Sequence, residues 1–289
     1  DAYHGVEAKL HLHHSLRAYK ELLRRRLPHK SQQKKGFTAS MMKRMVADIR
    51  ARHGTGSVEE ALVSTMWAAL LCPGEAVTTS RYNVYDVSRH PSADQVRFFN
   101  ADGSIATPAP GAPLPVHMEM HIQYSKTDQR RLGANVVIGC TGDPAFCPVL
   151  AMWNYLVARG PVMAKAPMFA TCTGEAYSYA KLRKIITSAL TTMGASKQEK
   201  AEYAGHSFHI GGAQALALAG RSVEYIMALG RWRCVESVQT YVEAPLPLRV
   251  VDAHDMLTAP LDGSHISRPL ASAAGCPTPA HSVFRARSH

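Results

Sequence analysis

The run His206-Ser207-Phe208-His209-Ile210-Gly211-Gly212 decides how this chain is read, together with Ala228-Leu229-Gly230-Arg231-Trp232 and, nine residues after that tryptophan, Tyr241. Taken singly, these residues have ordinary roles. His206 suits the start of a helix, bonded to backbone. Trp232 suits core packing. Tyr241 suits an amphipathic helix that buries the ring and keeps the hydroxyl wet. The surrounding pattern predicts two or three short helices between His206 and Glu243.

Upstream of this run the elements change character. Thr38 is a helix N-cap, with Met41, Met45 and Ile49 on one face before Gly54. Ser57-Val58-Glu59-Glu60 has the form of a capping box and opens a helix through Leu62, Met66, Ala69 and Leu70, ended by Pro73. Strands are predicted over residues 83–87 and 96–100, with Asp102-Gly103 as a turn. Residues 117–125 alternate: Met118, Met120, Ile122 and Tyr124 face one way, His117, Glu119, His121 and Gln123 the other. The chain turns back through residues 126–133 into a partner strand over 135–138. Helices follow over 148–158, stopped by Gly160, and over 177–193, stopped by Gly194. The expected fold is α+β, mostly helical with a small antiparallel sheet.

Residues 1–35 read as a basic helical arm and linker, with Leu16, Tyr19, Leu22 and Leu23 at helical spacing before Arg24-Arg25-Arg26. Residues 36–258 form the main domain, and residues 259–289 a tail rich in Pro, Ser and Ala, expected to be disordered unless a protein assembly holds it. The chain begins on Asp1 rather than Met, as expected of a processed or trimmed product.

The 289 residues carry 33 Lys and Arg against 22 Asp and Glu, a formal net charge of +11. Such a surplus favours a polyanionic partner, phosphate backbones being the commonest. No stretch of about 18 apolar residues is present, so no membrane helix is expected. The six cysteines, Cys72, Cys140, Cys147, Cys172, Cys234 and Cys276, show no CxxC spacing, which indicates neither a zinc site nor a disulfide framework. Reduced thiols in an intracellular compartment, nucleus or organelle, are the simplest expectation. His11, His13 and His14 read as a solvated helix face, and no metal or cofactor is expected.

Five motifs in order now bear on identity. The C-terminal run resembles the HxxR, LG-H/W and Tyr signature of the tyrosine recombinases, closest in wording to eukaryotic mobile-element members with HSFR-IG and LGRW. Leu70-Leu71-Cys72-Pro73-Gly74-Glu75 resembles the family's LLRPxE box, and Ser125-Lys126-Thr127-Asp128-Gln129 its hairpin-lysine motif. Cys147-Pro148-Val149, opening a helix, also recurs in that branch. The resemblance covers residues 36 to 245.

In that family a tyrosine attacks the phosphodiester to form a phosphotyrosine. Two arginines hold the non-bridging oxygens with forked bonds, a lysine protonates the leaving oxygen, and a histidine assists proton transfer. The resemblance therefore implies Tyr241 at the nucleophile position, Lys126 at the general-acid position, His206 at the proton-transfer position and Trp232 at the third-box position. The two arginine positions hold Cys72 and His209. Cysteine offers no forked donor and no positive charge. Histidine, with an ordinary pKa near ~6.5, is mostly neutral at cytosolic pH. Arg81, Arg231 and Arg233 are the nearby substitutes in sequence, although LGRW wording already includes Arg231 in members that keep both arginines.

Three functional expectations follow. The first is a recombinase-derived nucleic-acid-binding protein defective in strand cleavage and rejoining. The second is an active integrase of a mobile element, working through Tyr241 with a substituted phosphate clamp. The third is a structural RNA-binding subunit of a ribonucleoprotein such as an organellar ribosome. Duplex DNA is the partner the family implies, and RNA the partner of the third reading. The residues expected to meet phosphate are Arg24, Arg25, Arg26, Lys34, Lys35, Arg130, Arg131, Arg231 and Arg233.

Overall fold

Thr38 and Ser57 do what short hydroxyl side chains do best, each accepting a backbone N–H three residues on and so fixing a helix start. The resulting helices are α1 (Ala39–His53) and α2 (Val58–Ala68). The structure, a computed structural model, describes residues 34–79, 84–125 and 133–233, with Val235 and Val238 beyond them. All of these belong to one compact unit, Asp1–Glu243; a second unit, Ala244–His289, lies outside the described residues.

The Ser57 box is only half formed. Ser57 accepts from Glu60 N–H at 3.3 Å, but the Glu60 carboxylate does not return to Ser57. It is fully buried and takes two bonds from Arg50 of α1, at 2.9 and 2.7 Å. A paired buried carboxylate outcompetes a solvent-facing cap, because an unpaired one would cost several kcal/mol, roughly. Helix α2 is buried on all sides, from Glu60 through Met66. It packs against α1, α3 (Pro148–Arg159) and α6 (His206–Leu218), and is the central rod of the helical layer.

The sheet has four antiparallel strands in the order β2-β1-β3-β4: β1 (Val96–Phe99), β2 (Ile105–Ala106), β3 (His117–Ile122) and β4 (Ala134–Gly139). Met118, Met120 and Ile122 are buried as the alternation requires. Phe98 meets Trp153 of α3 edge to face at 5.1 Å, joining sheet to helices. The strand expected over 83–87 is not formed in its described part. Asp86 instead accepts from both the backbone N–H and the hydroxyl of Ser88, and this local turn displaces an extended strand. Residues 126–132, which connect β3 to β4, lie outside the described residues.

The chain continues through α4 (Tyr179–Thr192), the short α5 (Lys197–Ala201), α6 and α7 (Val223–Gly230). Gly211 and Gly212 explain why α6 sits so deep. A Cβ on Gly211 would lie 2.0 Å from the Phe37 carbonyl oxygen, and one on Gly212 2.3 Å from that of Trp67. Only glycine lets α6 lie backbone to backbone against α2 and the strand of chain entering α1. Trp67 clamps the same junction, its indole N–H donating to Phe37 at 2.9 Å. Among the described residues no helix is long and apolar enough to cross a membrane.

Candidate functional site

Helix α2 ends in an unusual corner. Leu70 takes a left-handed φ of 50°, and the chain then runs extended into Cys72 before a 3-10 turn, Pro73–Glu75. Cys72 N–H donates to the Glu75 carboxylate at 2.9 Å, half of a capping box with cysteine in the place of the usual serine. This corner faces the first two turns of α6. There His206 is exposed, while His209, one turn later, is buried.

The structure brings Cys72 and His209 into contact, with Sγ and Nδ1 3.4 Å apart. These residues are 137 positions apart in sequence. The His206 and His209 rings meet at 6.1 Å between centroids, and Trp232 lies against His209 at 5.0 Å. Four of the six positions expected at a catalytic site therefore converge. Lys126 and Tyr241 lie outside the described residues.

Burial pushes His209 down to about 4, aided by repulsion from His206 and Arg231. At neutral pH it is an uncharged imidazole beside a thiol. Such a pair can exchange a hydrogen bond, but it cannot neutralise a phosphate.

Among the described residues, Arg231 brings its guanidinium close enough to repel a charge on His209. It follows α7 in a left-handed conformation, φ 59°, which costs a non-glycine residue about 1–2 kcal/mol. Its terminal nitrogens donate to the carbonyls of Ala69 (3.2 Å), Leu229 (2.8 Å) and Leu70 (3.0 Å), and to Glu75 at 2.7 Å. The Ala69 and Leu70 carbonyls are among those the end of α2 leaves without helical partners, so Arg231 caps α2 from a distant segment. The ion pair is nearly closed to solvent, at 9% and 6% exposure for the two side chains. Its carboxylate partner, Glu75, has no role in the sequence reading of the LLRPxE-like stretch; its place three residues after Cys72 is the signal that marks it.

Of the other expected cations, Lys34, Lys35 and Arg233 lie among the described residues. Arg233 is exposed. Lys34 donates to the Ala201 carbonyl at 2.6 Å and Lys35 pairs with Glu202 at 2.8 Å, tying the entering chain to the α5 region. Arg24, Arg25, Arg26, Arg130 and Arg131 lie outside the described residues, as does Arg81. Among the described residues no group of three or more His, Cys, Asp and Glu is arranged to hold a metal ion.

The sequence matches no protein-family model and no curated protein. Solved structures do match. The XerH site-specific recombinase bound to difH substrate, in a pre-cleavage complex, superposes with a TM-score of 0.52 at 10% identity over 79% of this chain and 56% of that one. The XerA recombinase gives 0.49 at 12% identity over 80% and 66%. The Tn1549 transposon integrase in complex with circular intermediate DNA gives 0.45 at 12% identity over 81% and 71%. The fold is thus the α+β arrangement of tyrosine-recombinase catalytic domains. The chain spans 56% of the XerH chain and 66% of the XerA chain.

Proposed function

We propose that this chain is a nucleic-acid-binding protein built on the tyrosine-recombinase catalytic fold and defective in cutting and rejoining DNA strands. The observation that carries the reading is the 3.4 Å contact between Cys72 and His209. These are the two positions at which the resemblance calls for arginines. Here one side chain is a thiol and the other an imidazole held neutral by burial. Removing one preorganised donor from a transition state typically costs ~3–4 kcal/mol, and removing two leaves the pentavalent phosphate without its clamp. Arg231 does not supply the missing charge, because its terminal nitrogens serve α2 and Glu75.

Retained binding is supported by the net charge of +11 and by the likeness in fold to XerH, which was solved with its difH substrate. Binding of this kind is dominated by phosphate contacts and falls steeply with salt. The test is incubation with nicked suicide duplexes. The expected result is salt-sensitive binding with no covalent protein–DNA adduct. An adduct that disappears in Tyr241→Phe would overturn the defect and support an active integrase. Competition between duplex DNA and structured RNA then identifies the polymer: a strong preference for RNA would move the protein to the ribonucleoprotein reading.

A further inference from the structure

A pair of sulfur atoms meets where β4 ends and α3 begins. Strand β4 delivers Cys140, and Cys147 is the N-cap of α3. Their Sγ atoms are 3.3 Å apart, and both are free thiols. The loop between them is held firmly from several sides. Thr141 donates to the Phe146 carbonyl at 2.7 Å, closing the loop on itself. From α1, Arg50 donates to the Pro144 carbonyl at 2.7 Å and Lys43 pairs with Asp143 at 2.6 Å. The sulfurs therefore do not meet through a floppy loop; the fold holds them together.

We propose that Cys140 and Cys147 form a reversible dithiol–disulfide site whose exchange partner is a small disulfide of the glutathione type. A disulfide needs the sulfurs about 2.05 Å apart, so an approach of roughly 1 Å suffices, within reach of side-chain rotation. Cys140 is half-buried and Cys147 buried, which sets the order of events. The Cys140 thiolate attacks one sulfur of the external disulfide, forming a mixed disulfide and expelling one small thiolate. The Cys147 thiolate then attacks the Cys140 sulfur and expels the second. The protein gives up two electrons and two protons. The external disulfide takes them up as two thiols.

Burial pushes the Cys140 thiol up, so it is its exposure and not its acidity that puts it first; Cys147 is suited to the second step. Burial alone would push its thiol up, but hydrogen bonds from Leu150 N–H in the first turn of α3 and from Thr141 outweigh this and leave it below the ordinary thiol value. The product bond ties the end of β4 to the start of α3 and anchors the root of the β3–β4 hairpin. This site is independent of the nucleic-acid reading.

The test uses the full chain equilibrated across mixtures of reduced and oxidised glutathione, then alkylated and digested. No Lys or Arg lies between the two cysteines, so trypsin leaves both in one peptide. The expected product is that peptide, unalkylated and two hydrogens lighter, while the exposed Cys172 reports the mixed-disulfide background. The oxidised protein should melt about 5 °C higher, a gain reversed by dithiothreitol, as expected for closing a short loop. Cys140→Ser should abolish both the mass loss and the thermal gain. The wild-type measurements stand even if that variant folds poorly. Full alkylation of Cys140 and Cys147 across mixtures that convert Cys172 to its mixed disulfide would overturn the proposal, and so would equal melting of oxidised and reduced protein.

Discussion

On one side of the corner where α2 ends, Arg231 and Glu75 form a buried ion pair; on the other, half-buried Cys72 and buried His209 form a neutral one. The two pairs are linked through Glu75, whose carboxylate receives both the Arg231 guanidinium and the Cys72 N–H. The charged pair is closed upon the protein. Its positive member caps the end of α2, and its negative member holds the 3-10 turn. The neutral pair occupies the positions at which the sequence resemblance calls for arginines, and brings no charge to them. A guanidinium near a site is therefore not evidence of an anion clamp; what matters is which acceptors already hold its donors.

The largest expected effect comes from breaking the charged pair. Arg231→Met leaves Glu75 buried without its partner and removes the cap on Ala69 and Leu70, and should lower unfolding stability by about 4 kcal/mol. Urea denaturation measures this directly. Adding Glu75→Gln should recover at least ~1 kcal/mol, since the uncompensated charge is then gone. If Arg231→Met unfolds at the parent's midpoint, the guanidinium is not a structural clasp, and the contrast between the two pairs collapses.

The neutral pair has a pH signature instead. His209 is held at about 4 in the folded chain, below the ordinary histidine value of ~6.5 that the unfolded chain regains. The unfolded state therefore takes up this proton more readily. The stability contribution is complete above pH ~6.5 and is lost as pH falls toward about 4, amounting to roughly 3 kcal/mol across that window. His209→Gln, which cannot titrate, should lose this part of the pH dependence, so the wild-type-minus-variant stability difference should slope by roughly 3 kcal/mol over the same range. His90 is also held low by burial and slopes the same way, so the difference between proteins is the diagnostic quantity. Identical pH dependence in the two proteins would mean that His209 titrates in the fold as it does in the unfolded chain, and a difference of opposite slope would mean that the fold holds it charged, as an anion there would.

Much of this architecture was legible before any coordinates. The period-two alternation of Met118, Met120 and Ile122 identified a half-buried strand, and the Thr38 cap set the start of α1 within a residue. The motif order identified the fold, because spacing in the chain follows from helix lengths that the core enforces. Other features depend on tertiary partners and could not be read locally. Glu60 has the sequence position of a capping residue, yet Arg50 from another helix claims it. Asp86 breaks a strand-like run through its own side chain. Helix α5 carries a complete Ser196–Glu199 capping box but buries none of its residues, so no hydrophobic period announced it. At the site, each substitution was visible singly. That Cys72 and His209 touch each other required the packing of α6 on α2, made possible by Gly211 and Gly212.

The smallest effect concerns that contact itself. A hydrogen bond between a thiol and a neutral imidazole nets about 1 kcal/mol or less, because both groups would otherwise be hydrated. Cys72→Ala should therefore lower stability by roughly 1 kcal/mol, and Cys72→Ser, which keeps a donor and acceptor at nearly the same place, by less. Each should be measured in the parent and in His209→Gln, so that the coupling between the two positions is isolated from the lost volume of the sulfur. A coupling near zero would mean the two residues are neighbours by packing alone. A coupling well above 1 kcal/mol would require charge on at least one partner, since neutral pairs at this distance do not reach it. The neutral side of the corner would then resemble the Arg231 side more closely than its chemistry suggests.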